Sequence, residues 1–530
     1  TTLFRSSSAD NFGYTATYDS KENAYGAGSV FSFGFITTPG AFDLTFDGGS
    51  TDVGILKYSS DGLQRLFATY LGGNQPDLPH SLVVNSRDEL YVLGTTGSNN
   101  FPTNTNFTPF DAIFNGGTNI TLTGINVQYF FGTDLFITKF KEDGTALLAS
   151  TYLGGSDNDG LNTSSFLNYN YADEIRGEIL LDKEDNCYIV SCTNSLNFPV
   201  GPSSSSVQMT HGGNLDAVVV KMDENLTNVL WSSFLGGQFD DAIYSIDFDN
   251  DQNLIMTGGT NSDDFPLVNA YENTYGGGVD GFVTRLHSSG SAIFSSTYFG
   301  SANYDQFYFV EVNSDDEVHL FGQTKAPTND FVFNATYNQP NGSQIITKFN
   351  KTVDTLVWST RFGDGSGIPD ISPTAFLVDI CNRVFLSGWG WQDDNISGTS
   401  GLDVTADAID NTTDNEDFYF MVLKDDASAL EYASFFGGSQ SREHVDGGTS
   451  RFDKKGTIYQ AVCASCGGNQ DFPIVPAGNN WTNGSSNCNL GVVKYDFLPP
   501  SVIADFLIPP TDCAPDTLLF VNTSQTISSQ

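Results

Sequence analysis

Positive charge is scarce in this chain. Against 63 aspartates and glutamates stand only 22 lysines and arginines, giving a formal charge of −41 over 530 residues. Such a surface repels phosphate backbones and anionic lipid, which excludes nucleic-acid binding and polybasic membrane docking. No run of about 18 apolar residues occurs, so no helical membrane insertion is expected. Histidine is nearly as rare: His80, His211, His287, His319 and His444 are scattered and show no HExxH or paired-ligand spacing. A GxSxG elbow and a Walker loop are both missing. No segment sustains the apolar stripe of an amphipathic helix. At 39% hydrophobic and 13% aromatic, however, the chain is too apolar for a disordered acidic tail and large enough for a substantial core.

What is abundant is glycine, 54 residues of it, and it is periodic. A "TYLGG" motif recurs with small changes, its last three residues falling at Leu71-Gly72-Gly73, Leu153-Gly154-Gly155, Leu235-Gly236-Gly237, Phe299-Gly300-Ser301, Phe362-Gly363-Asp364 and Phe436-Gly437-Gly438. The spacings are 82, 82, 64, 63 and 74 residues. A second block, a polar residue followed by alternating apolar positions and a base, occurs seven times and begins at Asp52, Asp134, Asp216, Asp280, Ser343, Asp417 and Asn489. A third block precedes each of these, as in Glu89 to Gly94 and Asn253 to Gly258. Upstream again lies a run such as Ala242 to Asp247, alternating at the strand period of two. Each unit therefore holds four short strands, A to D, separated by Gly/Asp/Asn turns.

Seven four-stranded units in succession predict an all-β fold, a seven-bladed β-propeller over residues 1–498, which limits exposed strand edges by radial repetition. The seventh unit has strands A, B and C but no fourth strand after Tyr495. Thr1 to Ser7 read like the D strand Thr355 to Thr360, so the N-terminus is expected to supply the missing outer strand and close the ring.

The "STYLGG" strand ends, the Phe-Pro step after strand B (Phe101-Pro102, Phe198-Pro199, Phe265-Pro266, Phe472-Pro473) and the "D-x-F-I-T-K-F" strand resemble SBBP repeats. Ser450 to Pro473 and Asn487 to Phe497 look like the final blade of large Bacteroidota surface proteins. In that group the propeller precedes PKD-type domains and a gliding-motility-associated sorting domain. The resemblance implies export through the type IX secretion outer-membrane translocon and its shuttle, with a secreted, cell-surface location. Residues 499–530, with Ala504 to Phe506, Cys513 and Asn522 to Ser524, look like a linker and the opening strands of an Ig-like PKD sandwich, so the native polypeptide is expected to be longer. Blades five and six lack the Phe-Pro step. The chain opens at Thr1 with no leader-like segment, as expected of a mature secreted protein.

Seven cysteines make an odd set. Cys187 and Cys192 face opposite sides of one strand and cannot bond to each other. Cys463, Cys466 and Cys488 cluster in blade seven, where a structural disulfide is favoured over a metal or redox site, because no histidine lies in that B–C segment to complete a zinc set. The repeated base (Lys57, Lys139, Lys221, Arg285, Lys348 and Lys494, with Val422 the exception) reads as a stem packed between blades and a head paired to a repeat carboxylate. A cation ring for an anionic ligand is the competing reading. Acidic turns at Asp247, Asp249 and Asp251, and at Asp157 and Asp159, resemble calcium loops in spacing, although the first lacks the glycine and glutamate of an EF-hand.

Insertions carry the functional signal. In a propeller the D–A and B–C connections emerge on one face, and the three longest insertions, Thr103 to Gly132, Ser156 to Asp173 and Gln392 to Glu416, all belong there. Variable loops on a rigid scaffold are where binding usually lives. Phe107, Phe110, Tyr129 and Phe130 mark the first, Phe166, Tyr169 and Tyr171 the second, and Trp389 and Trp391 open towards the same face. Aromatics beside Asn and Asp suit sugar recognition; packing of the loops is the competing role. The leading expectation is a non-enzymatic structural or adhesive surface module, whose partners would be surface glycans or other cell-surface proteins. A glycan- or calcium-binding module on the inserted-loop face is the alternative, and a propeller hydrolase or lyase comes third.

Overall fold

The computed structural model describes residues 2–4, 7–327, 330–392, 395–475 and 482–497, together with four two-residue strands beyond them. Seven four-stranded antiparallel sheets follow one another along the chain. Blade one is representative: strand A is Asn11–Tyr18, B is Ala24–Val30, C is Asp52–Tyr58 and D is Arg65–Leu71. In blade two, strands B (Leu90–Thr96) and C (Asp134–Phe140) are buried at every position, since both faces of an inner strand pack against neighbouring blades. Outer strands such as Val229–Leu235 are exposed only where they begin.

The seventh blade is completed as the repeat phase requires. Thr2–Phe4 pairs antiparallel with Asn489–Asp496, whose other neighbour is Thr457–Ala464. Thus the two ends of the propeller sequence share one sheet. The PKD-type sandwich expected over residues 499–530 lies largely outside the described residues. In that stretch Val502–Ile503 pairs with Gln525–Thr526, and Phe506–Leu507 with Val521–Asn522.

Strand A is irregular in a repeated way. In five blades one extra residue is squeezed out of the A–B ladder, as between Gly13 and Thr15, Ile243 and Ser245, or Phe307 and Phe309. A glycine two residues before the end of strand B, Gly28 or Gly258, accommodates this bulge. A Cβ on Gly258 would stand 1.9 Å from the Ala242 carbonyl oxygen.

The repeated base is committed to structure. Lys57, Lys139, Lys221, Arg285, Lys348 and Lys494 reach Asp19, Glu89, Asp182, Asp249, Glu317 and Glu22 at 2.9, 2.9, 2.9, 2.6, 2.7 and 3.2 Å. Four of these heads also sit over a strand-B tyrosine: Tyr25, Tyr91, Tyr188 or Tyr459. In blade six, where Val422 replaces the base, Arg383 bonds Asp379 at 2.7 Å from the turn just before strand Val384–Trp389. The cation-ring reading is therefore set aside.

Candidate functional site

The insertion into blade three does not stand out as an open loop; it folds down into the centre of the ring. Leu161, Leu167 and Ile175 are fully buried. Tyr244 and Tyr308, the extra residues of two strand-A bulges, receive it. The Tyr244 hydroxyl accepts from Asn162 Nδ2 at 3.1 Å and donates to the Leu167 carbonyl at 3.3 Å. The Tyr308 hydroxyl lies 2.9 Å from Asp173 Oδ2 and 2.7 Å from Asn170 Nδ2. Asp173, wholly buried, pairs with Arg176 at 2.6 Å, and the guanidinium lies over the Tyr308 ring at 4.3 Å. The blade-two insertion adds a hairpin, Ile120–Leu122 with Val127–Tyr129, whose Leu122, Val127 and Tyr129 pack on Tyr14, Leu161 and Ile175. One mouth of the channel is thereby plugged.

This plug corrects the reading of several predicted ligand-binding aromatics. Tyr129 and Trp389 are buried to 0% and 1% exposure and serve as core. Tyr169 stacks on Tyr304 at 3.9 Å between centroids, its hydroxyl donating to the Asn395 carbonyl. Tyr171 and Trp391 pack with Trp389 around His444, so four predicted and unpredicted rings converge in the loop base rather than on a surface. Phe110 is half-buried, while Phe107 and Phe166 remain exposed. The alternation of aromatic and polar residues could not distinguish a loop that stands up from one that folds inward.

An open cleft does exist on the insertion face. It has a volume of about 480 Å³ and is built from the connections leaving blades one and two and from the blade-two insertion. Phe130 and Phe131 flank it at 56% and 64% exposure, with Phe114 beside them. Asn74, Gln75, Asn99 and Asn115 add side-chain amides, and Ser156 a hydroxyl. None of its described lining residues titrates near neutral pH.

The opposite mouth, framed by the A–B turns, holds a second cavity of about 400 Å³ lined by strand-A residues of all seven blades. Glu178, Asp247 and Glu311 converge there on Arg451. Arg451 Nη1 lies 3.0 Å from Glu178 Oε1, and its other nitrogens donate to the Leu82 and Ile179 carbonyls. Burial, and then the neighbouring Asp247 and Glu178 charges, holds the Glu311 carboxyl well above the usual range. Burial likewise raises Asp247 to about 7, although it accepts the Phe248 and Val312 amides.

The proposed calcium turns do not assemble three carboxylates. Asp247 faces this chamber, Asp249 is held by Arg285 and the Asn253 amide, and Asp251 points to solvent. Asp159 is buried against Thr193, Ser195 and the Gly155 amide, while Asp157 caps the Asn158 amide and Thr118. Of the blade-seven cysteines, Cys466 and Cys488 form a disulfide and Cys463 is a buried free thiol.

No family model matches the chain, and no curated protein does. Solved structures give distant likenesses. A protein of unknown function from Dyadobacter fermentans is 10% identical, with 75% of this chain and 94% of that one covered and a TM-score of 0.39. A polysaccharide lyase of family PL25, an ulvan lyase bound to -[GlcA(1-4)Rha3S]-, is 8% identical over 87% and 92%, with a TM-score of 0.45. The α-L-arabinofuranosidase Arb93A from Fusarium graminearum is 9% identical over 93% and 98%, with a TM-score of 0.36. Values this low say nothing about activity. Among the described residues, no helix is long and apolar enough to cross a membrane.

Proposed function

We propose that this chain is a non-catalytic, extracellular cell-surface module that binds carbohydrate in the Phe130–Phe131 cleft. The lining of that cleft carries the reading. Exposed rings offer faces for sugar C–H surfaces, amides offer paired donors and acceptors for hydroxyls, and no general acid or base stands among them. The resemblance to SBBP repeats supports export by the type IX route and a surface location with further PKD-type domains. A glycan array run with and without calcium tests the reading: saturable binding to at least one glycan is expected, lost in a Phe130→Ala/Phe131→Ala double variant whose melting curve is unchanged. A wild-type protein that binds no glycan overturns it.

The acidic chamber supports a second reading, a hydrolase or lyase acting in the channel, because the Glu311 carboxyl, held well above the usual range by burial, shares the chamber with the Glu178–Arg451 pair. Polysaccharide turnover by the purified protein, abolished in Glu311→Gln, would favour it over pure binding.

A further inference from the structure

We infer that the chain carries a buried site for a zinc-like divalent ion, formed by His444, Asp446 and Cys463 at the seam between blades seven and one. It is separate from the cleft and from the acidic chamber. His444 Nε2 lies 3.0 Å from Asp446 Oδ1, and Cys463 Sγ lies 3.6 Å from the same oxygen. All three ligand atoms fall within 4.8 Å of one another. With Zn–S of about 2.3 Å and Zn–N or Zn–O of about 2.0–2.1 Å, tetrahedral neighbours stand roughly 3.3–3.5 Å apart. The two measured edges straddle that span.

Backbone pairing holds the three residues in place. The connection into blade seven runs beside the end of strand B, where the Cys463 amide donates to the His444 carbonyl at 2.9 Å. The Asp446 amide donates to the Gly13 carbonyl of blade one at 2.9 Å. Three residues beyond Cys463, the Cys466–Cys488 disulfide ties strand B's exit to strand C. The site is therefore pre-formed.

Two further observations point to an ion. Asp446 is fully buried, yet its Oδ2 has no hydrogen-bond partner among the described residues, and a second carboxylate oxygen is what an ion would take up. The Gly13 amide donates to Cys463 Sγ at 3.2 Å, the outer-sphere contact that supports a thiolate. Around His444 lie Tyr171, Trp389 and Trp391 at 5.5, 5.6 and 6.1 Å between ring centroids, a dry shell. Thiolate with imidazole selects zinc-like metals over calcium or magnesium, whose preference is for all-oxygen sets. The sequence concealed the site because its histidine comes from the connection before strand A, outside the segment that holds the cysteines. Since Gly13 belongs to blade one, the site lies against the seam where the two ends of the ring meet.

The test uses the full chain, stripped with chelator and reloaded with zinc or cobalt(II). Elemental analysis should find about one tightly held zinc per chain. Cobalt loading should give a thiolate-to-cobalt charge-transfer band and strong tetrahedral d–d absorption. Both are lost in Cys463→Ser and in His444→Ala, and retained in Cys381→Ser, which alters an exposed thiol. In the wild type, zinc should also protect Cys463 from alkylation, a readout independent of how the variants fold. Wild-type protein that retains no zinc, shows no charge-transfer band and gains no thiol protection overturns the assignment.

Discussion

Thr2 stands directly across from Val493 in antiparallel register, so the first strand of the chain is the outer strand of its last blade. The contact continues at Ser7, whose amide donates to the buried Asn489 Oδ1 at 2.8 Å. Thr2–Phe4 lies in the sheet of blade seven while Asn11–Tyr18 opens blade one, so this pairing limits how easily the ring opens. Deleting residues 1–8 removes several backbone hydrogen bonds worth about 1 kcal/mol each. The melting temperature should fall by roughly 5 °C or more. Calorimetry checks this, and an unchanged melting point would show that closure rests elsewhere.

Blade count, strand order and the closing strand were legible because most repeats report the same local chemistry: a glycine where strand A bulges in five blades, a base over a strand-B tyrosine in four, a Gly-Gly turn before the next strand in four. The site was much less legible. Tyr129 and Trp389 carry the composition of a binding platform, but they lie under loops whose direction depends on contacts such as Tyr308 with Asp173, across blades far apart in sequence. Phe131, which lines the open cleft, differs from Tyr129 by only two positions and has no distinguishing signal. His444 was discounted for the same reason, since nearness across the seam between blades leaves no trace in local spacing.

The Gly-Gly turns create a pH dependence. In blade one, Gly72 leaves room for two buried carboxyls, Asp52 and Asp77, which burial raises to about 8 and about 7. Asp134 (about 7), Asp241 (about 7) and Asp280 (about 8) repeat the arrangement. A carboxyl whose folded pKa lies above its unfolded value binds its proton more tightly when folded. Stability is therefore full below about pH 4 for these groups and declines as pH rises through 7 to 8. In chelator, melting temperature should be higher at pH 5.5 than at pH 8.5. Asp52→Asn should flatten part of that slope. A flat or rising profile would contradict the assignment.

Arg451 is the cation facing Glu178, Asp247 and Glu311 in the channel mouth. Replacing it with glutamine leaves Glu178 without its partner at 3.0 Å and removes the cation that faces Asp247 as that carboxyl ionises. The loss should be larger at pH 8, above the value of about 7 to which burial raises Asp247, than at pH 5. Chemical denaturation of Arg451→Gln at the two pH values measures it, and equal losses would mean that the guanidinium acts only by packing and by its carbonyl hydrogen bonds.

Lys57 and Asp19 allow the repeated ion pair to be weighed in one copy. The side chains are 8% and 0% exposed, and Asp19 also accepts the Lys21 and Asn23 amides at 3.0 and 2.9 Å. Lys57→Met keeps the stem over Tyr25 but strands a buried carboxylate, for which a loss of about 3 kcal/mol is expected. Asp19→Asn keeps an acceptor for the two turn amides and removes the charge, so in the double variant the lysine's absence should cost far less. A coupling of at least about 1 kcal/mol in the double-mutant cycle is expected from guanidinium melts. If the two losses simply add, the six repeated bases stabilise the blades through their buried stems, and the carboxylates opposite them serve the turns alone.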